Sequence, residues 1–432
     1  METAMERSAS RELGVVGLEP WREERLGRIG QERAFAVRPV LDAARVRYLR
    51  QWSLDELLDE ARQRLDERPV DGIATYWDFP SSCIAAILAE EHDLPGPRLP
   101  SVVTFEHKYW SRLLQQKVAP EDTPRFAAVD VFADPDIEGP PLPYPFWLKP
   151  VKSFSGLLGF RVTDDEQWCA AIRSLRAGIE RLGGPFQQVL DRVADVPEEV
   201  ARLGGAGAIA EGIIDGDQCT LEGHVHDGEV EVHGVFDIHR AADGSTFTHY
   251  TYPSKLSEAA RRHMHAIAVD LVTAAGYDQG AFNIEYFIDE ERGRTWILEV
   301  NPRISQEHDQ LMVWVDGVSN LEVMASAALG ENPMLRPRGG PCSLAAKFFV
   351  RRERDATVTR VPDARRLAAI EDRFAPCAIE LLVRTGDRLS ELPEQEPYSY
   401  LLAYVHLGAD GEGELMDRYD AVIRELDLGF DD

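Results

Sequence analysis

The sequence predicts a mixed fold, an α/β unit at the N-terminus followed by α+β architecture, and three observations predict it. Short apolar segments alternate with helical ones over the first hundred residues, the rhythm of a parallel sheet with crossover helices. Asp227 and Gly228 separate two strand-like segments, 218–226 and 229–238, which is a strong hairpin signal. A second hairpin is written over 282–306, FNIEYFIDEERGRTWILEVNPRISQ, where two segments of β-formers flank the charged turn 289–294.

Along the chain, 13–17 and 34–39 read as short strands. Residues 53–64 read as a helix with Ser53 at its N-cap and Glu56 completing a capping box. A buried strand at 70–76 and an apolar helix at 81–92 follow, and DLPGPRLP ends the unit. It carries no GxGxxG fingerprint and so is not read as a dinucleotide site. Residues 104–118 read as a helix containing Lys108, and 144–150 as a strand ending at Lys149, before the small-residue segment KSFSGLLG at 152–159. An amphipathic helix at 164–182, a strand at 208–214, a long helix at 256–276 and a closing helix at 321–329 complete this region. ENPMLRPRGGP at 331–341 is a Pro- and Gly-rich linker. Strands at 345–350 and 379–383 and a helix at 414–426 make a third, small α+β unit. The expected domains are therefore 1–103, 104–330 and 331–432.

Composition narrows the function. The 432 residues suffice for several domains and a large core, and 44% hydrophobic with 28% charged residues is ordinary for a globular protein. With 47 basic against 75 acidic residues the formal charge is −28, which argues against nonspecific binding to nucleic acid or to an anionic membrane. Any phosphate site must then be locally basic. Five dispersed cysteines without a CxxC pair indicate reduced thiols and a cytoplasmic protein rather than a disulfide framework or a zinc site. The opening METAMERSAS is polar, unlike a secretory signal, and no apolar run approaches the ~20 residues that span a bilayer.

The candidate chemistry gathers at a few places. Side chains alternate along a strand, so Glu299 and Asn301 share one face, and the register decides whether Glu285 joins them. Two carboxylates and an amide oxygen, with Arg303 beside them, suit a magnesium-bound phosphate site. Any one acid alone reads as a solvated surface group; the ensemble carries the signal. Lys149 stands before a loop containing Ser153, Ser155, Gly156 and Gly159, whose N–H groups can meet phosphate oxygens; the pattern is not a Walker A loop. Glu211, Gly212 and Ile214 end a strand whose extended backbone can offer a carbonyl and an N–H to an adenine edge, with Gln218 or Asp217 in reach of ribose; an ordinary hairpin is the other reading. Pro302 fixes the direction of Arg303, which is either a surface ion pair worth about 0–1 kcal/mol or a cation aimed at developing charge. His308 is either structural or substrate-facing, and His239 and Arg240, at a strand end, either reach a phosphate or, the favoured reading, are solvated loop residues.

PFWLKP at 145–150, AEGIIDGDQCTLEG at 210–223, FNIEYF at 282–287 and WILEVNPRISQ at 296–306 together resemble the ATP-grasp superfamily of ligases, in order and in spacing, over about 101–330. The last motif is the most specific. The layout of flanking units is similar to that of biotin-carboxylase-like members. The resemblance implies an ATP-grasp fold behind a Rossmann-like N-terminal domain and before a small C-terminal α+β domain, with ATP clamped between two subdomains and Mg2+ (or Mn2+) as the metal. It implies Lys108 and Lys149 as nucleotide-contacting lysines, with Ser155 in the phosphate loop. Glu211, Gly212 and Ile214 become the adenine hinge, and Gln218 stands where the family usually has an acidic ribose ligand. Glu285, Glu299 and Asn301 become the metal ligands, and Arg303, with Lys149, serves the reacting group.

The implied reaction makes an acylphosphate from a carboxylate, which an amine then attacks; joining amino acids is one form of it. Small-molecule carboxylate and amine substrates and a homodimer are the expected partners, with no nucleic acid and no membrane. Two alternatives stay open: biotin-carboxylase-like carboxylation through carboxyphosphate, and an ATP-binding module without catalysis.

Overall fold

The computed structural model describes residues 11–47, 53–133, 139–153, 156–241, 246–335, 337–392 and 399–431. Strands β1 (Arg11–Leu18), β2 (Phe35–Asp42) and β3 (Gly72–Ala74) form the expected parallel sheet, in the order β2-β1-β3. The helix Pro20–Arg33, which the sequence reading did not place, crosses between β1 and β2. The helix Leu54–Glu67 begins at the Ser53–Glu56 capping box, with the Ser53 N–H donating to Glu56 at 3.4 Å.

Strands β4 (Phe126–Val129), β5 (Phe146–Pro150), β6 (Phe160–Val162) and β7 (Ala208–Gly212) form an antiparallel sheet ordered β4-β7-β5-β6. One face is apolar: Phe146, Leu148 and Val162 pack on Trp168, Ile172 and Leu175 of the helix Asp165–Gly178. Alternation therefore puts Trp147 and Lys149 of β5 on the other face, and Glu211 of β7 lies directly opposite Trp147.

The main sheet takes β8 (Asp217–His226), β9 (Glu229–Arg240), β10 (Phe247–Tyr252), β11 (Gly280–Asp289), β12 (Arg294–Asn301) and β13 (Leu344–Arg352). After the short β14 (Val358–Arg360) come β15 (Cys377–Leu381) and β16 (Tyr400–Ala409), which complete the antiparallel order β12-β11-β8-β9-β10-β13-β16-β15. A last strand, β17 (Gly429–Phe430), pairs with β14. The strands beyond the Pro/Gly linker thus extend the main sheet instead of standing apart from it. They still build their own core, in which Val405 and Leu407 meet Leu415, Val422 and Leu426 of the helix Glu412–Leu426.

Two expected helices divide. Residues 104–118 belong to Leu99–Glu106 and Lys108–Val118, which meet at His107. His107 is extended, and its buried Nδ1 accepts from the Trp110 N–H at 3.2 Å, so it ends one helix and caps the next. Lys108 is consequently the first residue of a helix, not a mid-helix residue. The helix expected over 164–182 stops at Gly178, and a separate helix, Glu180–Leu190, follows.

Candidate functional site

The hairpin β11–β12 decides the register left open by the sequence. Asn283 lies opposite Asn301 and Glu285 opposite Glu299, so all four side chains share one face of the main sheet. The Asn301 amide donates to Asn283 Oδ1 at 3.1 Å, and its own oxygen lies 3.5 Å from an Arg303 nitrogen. Leu298 is skipped in the pairing, because Glu299 meets Glu285 while Ile297 meets Tyr286. This β-bulge lets Ile297 stay in the core while Glu299 reaches the cleft with 33% of its side chain open.

Cations face this row. The buried Lys108 ammonium is paired with Glu299. From the second sheet, Lys149 pairs with Glu211 at 2.6 Å. The other Glu211 oxygen accepts from Arg112 at 2.8 Å, and that guanidinium also donates to the carbonyls of Ile297 (2.7 Å) and Leu298 (2.8 Å). A small cleft lies among these groups, lined by Lys108, Arg112, Lys149, Glu211 and Glu299. Burial works against the Glu211 charge, yet Arg112 and then Lys149 outweigh it and hold its carboxyl at about 2.

The flanks are equally committed. Arg303 forms a two-pronged pair with Asp78 of the N-terminal unit, at 2.7 and 2.8 Å. Lys152, which opens the small-residue loop, is buried and paired with Glu106, so it belongs to the wall of the site. Ser155 lies outside the described residues. Gly212 and Ile214 follow Glu211 as the strand β7 ends, and the Gly212 N–H is held by the Arg125 carbonyl at 2.8 Å. Gln218 does not reach outward: its amide donates to Glu285 at 3.0 Å and accepts from Arg240 at 2.9 Å. Arg240, the last residue of β9, stays exposed as expected of a strand end while it makes this hydrogen bond. His308 is fully buried, 2.7 Å from Glu222 and stacked on Phe236 at 3.7 Å, and it braces the segment that carries Arg303.

The acids fit a hard divalent cation. Burial, then the facing Glu299, pushes the Glu285 carboxyl above the usual carboxylate range. Burial also opposes the Glu299 charge, but Lys108 and Lys149 overcome it and hold that carboxyl low. Two carboxylates set opposite one another beside an amide oxygen form an oxygen donor set suited to magnesium or manganese, and the pair titrates unevenly because burial dominates at Glu285 and the facing lysines dominate at Glu299. Among the described residues no group of three or more His, Cys, Asp and Glu side chains is arranged to hold a metal.

Several residues of this site escaped the sequence. Arg112 lies one helical turn after Lys108, a spacing that puts both on one helix face and was the available signal. Trp147, 43% exposed, shares its face with Lys149 two residues on. Asp78 and Glu106 gave no local signal, since their partners lie far away in sequence.

Residues 142–308 match the ATP-grasp domain family. A formate-dependent phosphoribosylglycinamide formyltransferase of Bordetella avium is 31% identical over 194 residues, 43% of this chain and 41% of that protein, so the chain spans less than half the length of this curated relative. Among solved structures, an L-amino acid ligase from Bacillus licheniformis superposes with a TM-score of 0.73 at 19% identity, covering 98% of this chain and 99% of that one. The biotin carboxylase domain of the 2-oxoglutarate carboxylase of Hydrogenobacter thermophilus, a dimer solved with MgADP, ADP and bicarbonate, superposes with a TM-score of 0.65 at 17% identity, covering 98% and 91%. No helix among the described residues is long and apolar enough to cross a membrane. The chain shares its fold with these solved structures, and its residues 142–308 match the ATP-grasp domain family.

Proposed function

We propose that the chain is an ADP-forming, ATP-dependent ligase that activates a small carboxylate as an acylphosphate for attack by an amine. The observation that carries this reading is the row Glu285–Glu299–Asn301, set across one cleft from Lys108 and Lys149 with Arg303 at its end. A carboxylate oxygen is a poor leaving group, so the reaction needs phosphoryl transfer before the amine can displace anything. In our reading Glu285, Glu299 and Asn301 hold Mg2+ or Mn2+, whose charge offsets that of the phosphates.

Lys108 and Lys149 already stand beside carboxylates and can exchange those partners for phosphate oxygens. They supply fixed positive charge in a site with little water, where it stabilises a transition state most strongly. Arg303 presents a flat donor fork at the end of the row, and Asp78 fixes its direction for a carboxylate or a transferring phosphoryl group. The face bearing Trp147 and the Glu211–Ile214 segment offers an apolar surface with backbone polar groups, suited to a nucleobase.

The test is an ADP-release screen over amino acids, singly and in pairs, with bicarbonate as a separate arm. ADP release that requires both a carboxylate and an amine is the expected result; release with bicarbonate and no amine would favour carboxylation instead. Glu299→Gln should lower turnover at least 100-fold, since it removes charge from the metal row while keeping its shape. Retained turnover in that variant, with ADP still released by the wild type, rejects the metal assignment.

A further inference from the structure

Strand β12 cannot place both Ile297 and Glu299 where they are without an extra residue. Residues two apart on an unbroken strand share a face. Yet Ile297 is fully buried in the core and Glu299 opens onto the cleft. The bulge at Leu298 reconciles them by moving everything after it to the opposite facing. A bulge interrupts the ladder, so carbonyl groups beside it need donors from elsewhere.

Arg112 provides those donors. It is 2% exposed, and its two terminal nitrogens reach the carbonyls of Ile297 (2.7 Å) and Leu298 (2.8 Å), the two residues at the bulge. Its third nitrogen, Nε, meets Glu211 on the second sheet at 2.8 Å, and Gln115 holds the guanidinium from within the same helix. A planar fork with fixed donor directions can satisfy two adjacent carbonyls and a carboxylate at once, which a lysine cannot.

We propose that Arg112 is a positioning residue: it holds the β-bulge that aims Glu299 and Asn301 at the same point as Glu285, and it ties that hairpin to Glu211 across the cleft. The consequence for catalysis rests on the ligase reading, whereas the clamping of the bulge does not.

The experiment compares wild type, Arg112→Met, Arg112→Lys and Glu211→Gln in the full chain, with two readouts. Amide hydrogen exchange over 296–301 reports the bulge, and electron paramagnetic resonance of Mn2+ titrated in the presence of ADP reports the aim of the carboxylates. In Arg112→Met, exchange over 296–301 should quicken at least ten-fold while the β8–β9 hairpin keeps wild-type protection, and Mn2+ affinity should fall at least ten-fold. Arg112→Lys should fall between this variant and wild type. Glu211→Gln keeps both carbonyl contacts and should leave exchange over 296–301 unchanged. Wild-type exchange and Mn2+ affinity in Arg112→Met overturn the proposal, as does a Glu211→Gln hairpin loosened as much as that of Arg112→Met. If Arg112→Met does not fold, Arg112→Lys decides: exchange indistinguishable from wild type overturns the proposal. A wild type that binds neither Mn2+ nor ADP would sink the ligase reading, and the exchange comparison would still judge the clamp.

Discussion

Glu211 shows how a single residue can be fixed by opposing effects. Burial alone would raise its carboxyl above the ordinary 4.5, and two cations reverse the sign and bring it to about 2. A group held below its unfolded value stabilises the fold above that value and loses its contribution as pH falls from about 4.5 towards 2. Glu211→Gln removes this contribution. Urea unfolding at pH 5.0, 4.0 and 3.5 should therefore show wild-type stability falling more steeply with acid than that of Glu211→Gln. Equal slopes would mean that Arg112 and Lys149 do not hold the carboxylate in the folded protein. The same balance explains why Lys108, Lys152 and Arg303, all buried or nearly so, remain tolerable: each has a carboxylate at hydrogen-bonding range.

Among the elements, the sequence revealed those whose signal is local. Strands β1, β2, β5, β8, β9, β11 and β12 were legible from β-branched and aromatic residues and from the Asp227–Gly228 turn. The row Glu285–Glu299–Asn301 was legible up to its register. The bulge was not, because WILEVN carries no mark at Leu298; the extra residue is set by what Ile297 must bury and by a donor nearly two hundred residues away, Arg112. Strand β10 and the helix Asp309–Asp316 escaped for a related reason, since each lacks a clear period of its own and is held by packing against β13. Close strand packing also limits which residues are allowed. Gly223 of β8 lies opposite Phe282 of β11, and a Cβ there would sit 2.3 Å from the Phe282 ring. Phe282 is fully buried and cannot swing out. Gly223→Ala should therefore cost about 1–3 kcal/mol of stability, read as a lower urea midpoint at unchanged slope. A midpoint equal to wild type would show that β8 and β11 can separate more easily than their pairing implies.

At the scale of the whole molecule, two kinds of charge have to be separated. The N-terminal unit docks on the segment after Arg303 through close polar contacts: Arg303 with Asp78, Arg22 with Asp309 and the Gln306 carbonyl, and Gln306 with the Tyr76 carbonyl. These groups are largely withdrawn from solvent, so dissolved salt screens them weakly. The outer surface is different. The chain's 75 acidic residues exceed its 47 basic ones, and the formal −28 is an excess of carboxylates that repel one another. Exposed ion pairs such as Arg62 with Glu91 and Arg360 with Asp427 weaken in salt, but each is worth only about 0–1 kcal/mol. Long-range repulsion, summed over the excess acids, is screened once the Debye length shortens to about 8 Å near 0.15 M. Repulsion should win this comparison. Scanning calorimetry in neutral buffer should show Tm rising by several degrees as NaCl increases from 0.02 to 0.5 M, at the salt concentrations where surface pairs are already lost. A Tm that falls over this range would mean that the surface ion pairs, and not the excess of acids, dominate the electrostatics of the fold.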